Sequence, residues 1–119
     1  SNEKLENKDN YLKKIKNLGL KELDLHGYTI RDANIAVKDL ILKSYNENIK
    51  KIKIITGKGM RSKNLENPFN SKDLSILKYA VPDFIQNDKD LMEKIKKIDM
   101  DSVKNLNSGE FSIFLKKKK

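Results

Sequence analysis

The chain's single histidine, His26, stands in the stretch Leu23-Asp24-Leu25-His26-Gly27. Histidine alone has an ordinary pKa near neutrality, which makes it the natural proton-transfer group. Asp24 lies two residues before it. Residues two apart on an extended strand share a face, so this carboxylate can orient the imidazole and raise its basicity. Such a pair suits general acid–base work on a hydroxyl or a water. The alternative is structural: Asp24 caps the turn that follows, and His26 is a surface residue of that turn. A three-residue spacing does not by itself choose between them.

A second stretch, Thr56-Gly57-Lys58-Gly59-Met60-Arg61, follows the β-branched run Lys51-Ile52-Lys53-Ile54-Ile55. Two glycines around a lysine permit unusual backbone angles and expose N–H groups, and such a turn can cradle a phosphate. Lys58, Arg61 and Lys63 supply cations, and arginine's planar fork clamps a phosphate bidentately. The spacing is not that of a P-loop, which argues against ATP or GTP. An ordinary flexible turn is the alternative.

Elements that place both stretches at one edge can be read from the periodicity. Leu20 to His26 alternates as a strand, with Leu23 and Leu25 on one side and Asp24 and His26 on the other. Thr29 to about Asn46 is a helix: Thr29 starts it, and Ala33, Ala36, Val37, Leu40, Ile41 and Ser44 form one stripe. Lys51 to Thr56 is a second strand, so strand, helix and strand form a βαβ unit with parallel strands. Ligands of such units bind at the carboxyl ends of the strands. Asp24–Gly27 ends the first strand and Thr56–Gly59 the second. An acid–base pair then stands beside a basic glycine-rich loop, an arrangement suited to phosphodiester cleavage.

Beyond this unit, 57–70 reads as a long loop, and Ser71 caps a helix carrying Leu74, Leu77, Val81 and Phe84. Pro82 requires that helix to kink or restart. Residues 87–97 add a helical turn, 98–100 is a weak third strand, and Ser108 to Leu115 is a last strand with Phe111, Ile113 and Leu115 on one face. The order β-α-β-α-β-β gives a two-layer α/β sandwich, a four-stranded mixed sheet with both helices on one face. The other face is open, with Asp24 and His26 at its rim. Residues 1–18 form a charged N-terminal arm, either a helix packed on the domain or a disordered tail, and 19–119 form the domain.

Composition narrows the chemistry. The chain of 119 residues has no cysteine, which excludes disulfides, zinc–thiolate sites and thiol nucleophiles; one histidine excludes a multi-histidine metal cluster. No cofactor is implied. Asp24 offers at most one weak ligand to Mg²⁺, without a carboxylate cluster to complete a site. No run of apolar residues suits a membrane span, and the polar N-terminus lacks a signal-peptide pattern. Ser1-Asn2 reads as a cloning scar or the cut end of a longer chain. The net charge of +9 invites nucleic acid. Yet only Arg31 and Arg61 among 26 basic residues are arginine, the signature of an AT-rich coding sequence as much as of function.

The stretches "LDLHGYTIRDANIAV", "IITGKGMRS", "LKYAVPDFI" and "SGEFSIFLKKK" follow one another as they do in the small MutS-related (Smr) domain, which the chain resembles over about residues 20–118. The resemblance implies a two-layer α/β fold related to the C-terminal domain of a bacterial translation initiation factor. It implies a nuclease that nicks DNA or cleaves RNA, with the ribosome among its settings. Asp24, His26 and Gly27 would carry the first functional motif, and Gly57, Lys58 and Gly59 the second. Many members have a histidine where this chain has Thr56, which can donate a hydrogen bond but exchanges no proton at neutral pH. Two readings follow: an endonuclease, or a non-catalytic nucleic-acid- or ribosome-binding module using the same surface. Either is expected of a cytoplasmic monomer that does not engage membranes.

Overall fold

Thr29 caps the central helix. Its hydroxyl accepts the Asp32 N–H at 3.1 Å, and α2 runs from Ile30 to Asn46 with Ala33, Val37, Ile41 and Ser44 on its buried stripe. The computed structural model describes residues 2–58 and 76–118. Around α2 lie α1 (Asn2–Asn17), β1 (Leu20–Asp24), β2 (Lys51–Ile55), α3 (Ile76–Gln86), α4 (Lys89–Lys94), β3 (Ile95–Ile98), α5 (Met100–Lys104) and β4 (Glu110–Leu115).

The four strands form one mixed sheet in the order β1-β2-β4-β3. β1 and β2 are parallel, with Leu23 opposite Ile54 and Asp24 opposite Ile55. β4 runs antiparallel to both β2 and β3. Alternation in β2 sends Ile52 and Ile54 into the core, where they meet Phe111, Ile113 and Leu115 of β4, Val37 and Ile41 of α2, Val81 and Ile85 of α3, and Leu91 of α4. Each fully buried aliphatic side chain contributes about 1.5–3 kcal/mol. Lys51 and Lys53 take the opposite alternation. Lys53 pairs there with Glu22 and Glu110, each at 3.3 Å, and the two carboxylates raise its pKa.

The N-terminal arm is a helix, and it partly covers the face expected to be open. Tyr11 and Ile15 of α1 line a cleft of about 190 Å³ with Leu20, Lys21, Glu22, Lys51 and Lys53. Glu47 holds the same corner, pairing with Lys21 and, at 3.2 Å, with Lys16.

Three features differ from the sequence reading. β1 ends at Asp24 rather than His26, because Asp24 turns the chain. The third strand is Ile95–Ile98, earlier than expected, with an irregularity between Ile95 and Lys97 that breaks the alternation. A short helix, α5, occupies Met100–Lys104, started by Asp99, whose carboxylate accepts the Ser102 N–H at 3.3 Å and the Ser102 hydroxyl at 2.8 Å. α3 runs on through Pro82, which is buried within it, so of the two outcomes the proline allowed the restart is not taken. The expected cap Ser71 and the apolar Leu74 lie outside the described residues.

Candidate functional site

Leu25 anchors the first loop. It is fully buried, and its N–H donates to the Ile55 carbonyl at 2.8 Å, so the ends of β1 and β2 leave the sheet side by side. Asp24, His26 and Gly27 around it are exposed. The Asp24 carboxylate accepts the main-chain N–H of His26 at 2.9 Å, and the Tyr28 N–H donates to the Leu25 carbonyl at 3.0 Å. A short acidic side chain bonding the backbone two residues on is an Asx turn. Gly27 sits at φ +82°, a left-handed conformation that disfavours any residue with a Cβ. The carboxylate therefore holds the turn that carries the imidazole; its hydrogen-bond partner is the His26 amide and not the ring.

The second loop rests on a residue absent from the sequence-based site. The N–H groups of Thr56 and Gly57 both donate to the Gly109 carbonyl, each at 2.9 Å. A Cβ on Gly109 would stand 3.2 Å from the Gly57 carbonyl carbon and 3.2 Å from the Lys58 nitrogen. The Thr56 hydroxyl donates to the Gly57 carbonyl at 2.9 Å, and Gly57 adopts φ +82°. The amide of Gly57 is thus engaged internally. Lys58 is exposed, and its N–H meets no main-chain acceptor among the described residues. Gly59, Arg61 and Lys63 lie outside the described residues.

The fold brings His26 and Gly27 to the same sheet edge as Thr56, Gly57 and Lys58, as the βαβ reading expected. It adds Gly109, and beneath Gly109 a turn over 105–108 in which Ser108 N–H donates to the Asn105 carbonyl at 3.0 Å. The legible signal for Gly109 was a glycine directly before the last strand.

No group of three or more His, Asp or Glu side chains among the described residues is arranged to hold a metal ion. No helix among them is long and apolar enough to cross a membrane. A recess of about 740 Å³ lies between the first turns of α2 and the α3–α4 corner. Asp83, Asp88 and Asp90 outweigh Lys89 in its lining, so its charge is wrong for phosphate.

Comparison with known families matches residues 23–116 to the Smr domain, a span that opens within the Leu23–Gly27 stretch and closes just past β4. No curated protein and no solved structure gives a significant match. With a family model covering most of its length, the chain belongs to the Smr domain family.

Proposed function

We propose that the chain is an endonuclease of the Smr type, cleaving phosphodiester bonds of DNA or RNA. The observation that carries this reading is the convergence of two loops at one sheet edge. An exposed imidazole leaves β1 beside an exposed lysine and an N–H leaving β2, joined through the Leu25–Ile55 hydrogen bond. His26 is the proton-transfer group; Lys58, with Gly59, Arg61 and Lys63 beyond it, holds the phosphate. Positive charge on such a loop counters the charge that develops on the phosphoryl oxygens as the bond breaks. Gly27 and Gly57 turn the chain away without a side chain at the edge, and a net charge of +9 favours polyanion association.

One observation favours a second reading, a binding module without cleavage, on the ribosome or another structured nucleic acid. Thr56 stands where many family members carry a histidine, and its hydroxyl is occupied by the Gly57 carbonyl at 2.9 Å. The experiment is incubation of the purified protein with end-labelled single- and double-stranded DNA and RNA, with and without EDTA. Cleavage that disappears in His26→Ala supports the endonuclease. Salt-dependent retention without any cleavage assigns the module instead. The EDTA arm decides whether a divalent ion, with Asp24 as one ligand, takes part.

A further inference from the structure

Lys78 lies in the interior, 3% exposed, and among the described residues Ser44 is the other buried polar side chain. It sits on α3, three residues before Val81 and on the apolar side of that helix. Its ammonium donates to the Asn105 carbonyl at 2.6 Å and to the Ser108 carbonyl. These two carbonyls flank the turn that leads into Gly109. Gly109 in turn receives the Thr56 and Gly57 N–H groups and lies against the Gly57–Lys58 peptide. Hydrogen bonds therefore run from a buried cation on α3 to the 105–108 turn, and from Gly109, joined to that turn by the Ser108–Gly109 peptide, to the backbone of the basic loop.

We propose that Lys78 is a positioning residue for the Thr56–Lys58 segment: it fixes the 105–109 turn, and that turn fixes the height and direction from which Lys58 meets a phosphate. The inference rests on the reading of this loop as the phosphate-holding element. Burying an ammonium is costly unless hydrogen bonds meet it. Among the described residues its hydrogen-bond partners are the two carbonyls, with the Tyr79 ring 5.9 Å away and no carboxylate within salt-bridge distance. Burial lowers its pKa, in keeping with a cation held by neutral dipoles. A methionine there would fill the same apolar space without that cost. The turn, not the packing, is what requires an ammonium.

The test uses the whole chain, uniformly ¹⁵N-labelled, with Lys78→Met and Lys78→Arg beside the wild type. Affinity for a fluorescein-labelled single-stranded RNA and its DNA counterpart is measured across a salt series, well below each variant's melting point. Lys78→Met is expected to bind roughly tenfold more weakly, about the worth of one charge-assisted hydrogen bond. Its salt slope should stay unchanged, because Lys78 touches no phosphate. The Gly57 and Gly109 amide resonances should shift, and Lys78→Arg should restore part of the affinity. Should Lys78→Met fail to fold, the native protein supplies the second measurement. The Lys78 side-chain resonance should titrate below the ordinary lysine value, and the Gly57 amide should follow the same curve.

Unmoved Gly57 and Gly109 resonances, or wild-type affinity in Lys78→Met with only a lowered Tm, overturn the proposal. A wild type that binds neither oligonucleotide overturns the nucleic-acid reading instead, while the amide shifts in the free protein still decide whether Lys78 sets the loop.

Discussion

The carbonyl of Gly109 accepts hydrogen bonds from two consecutive N–H groups, those of Thr56 and Gly57, and the Gly109 Cα lies where a Cβ would meet the Gly57–Lys58 peptide at 3.2 Å. The turn before the last strand is thus the floor of the loop after the second. The contact is backbone against backbone, so neither side can yield by turning a rotamer.

Gly109→Ala should therefore displace the Gly57–Lys58 peptide rather than be absorbed. Overpacking of this kind costs about 1–3 kcal/mol. Gly57→Ala has nothing within 4 Å of the new Cβ but must hold φ near +82°, at about 1–2 kcal/mol. Asparagine, which tolerates left-handed angles, should be milder at 57 but no better than alanine at 109. Thermal melts of the four variants check the pattern; equal costs for alanine and asparagine at 57 would count against a conformational cause.

Lys58→Ala should weaken nucleic-acid binding almost equally for every sequence and reduce the salt slope by about one, the signature of a single lost phosphate contact. Arg61→Ala should do the same if the loop continues along the backbone. The fold should survive Lys58→Ala, since Lys58 is exposed. Binding measured against salt concentration decides it, and an unchanged slope in the double variant would leave the loop a purely structural turn.

How far these relationships were legible depends on their range. The Leu23–Gly27 and Thr56–Lys58 stretches could be placed at one edge because βαβ geometry is local and handed. α2 was legible through Thr29 and a sustained stripe, and β2 through alternating isoleucines. β3 was not: Ile95-Lys96-Lys97-Ile98 has an irregular register, so neither period fits it. α5 is five residues long, too short for periodicity, though Asp99 three residues before Ser102 was a capping signal. The partnership of Gly109 with Gly57 spans the chain, and no local pattern records it. Lys78 did leave a trace, a lysine on the apolar side of an amphipathic helix.

Among the described residues three carboxyls have lowered pKa values: Asp88 through Lys38, whose ammonium donates to it at 2.9 Å, Glu47 through Lys21 and Lys16, and Asp99 through Ser102. A depressed carboxyl contributes stability that is present above its unfolded pKa and lost as pH falls through the folded one. The Tm should therefore be flat from neutrality to about pH 5 and fall below about pH 4, where unfolded Asp and Glu begin to take up protons. Asp88→Asn should start lower and show a shallower acid limb. An identical limb in that variant would trace the decline to general repulsion within an increasingly cationic chain.

Asp24 and His26 admit a sharper separation than their spacing alone allowed. The Asp24 carboxylate accepts the His26 amide at 2.9 Å, a role an asparagine side-chain oxygen fills equally well. Asp24→Asn should then keep the turn and the Tm, whereas Asp24→Ala should lose about 1 kcal/mol with the hydrogen bond. If the negative charge also serves the imidazole, Asp24→Asn lowers the cleavage rate while leaving stability intact. If the carboxylate serves only the turn, Asp24→Asn cleaves as the wild type does. His26→Ala should cost about 10²–10⁴-fold in rate, the usual worth of one acid–base group. Its Tm and its nucleic-acid affinity should hold, because the side chain is exposed and the turn is made by its amide rather than its ring. A rate per folded molecule unchanged by His26→Ala would remove the imidazole from the chemistry, leaving Lys58 and its loop as a surface that holds nucleic acid without cutting it.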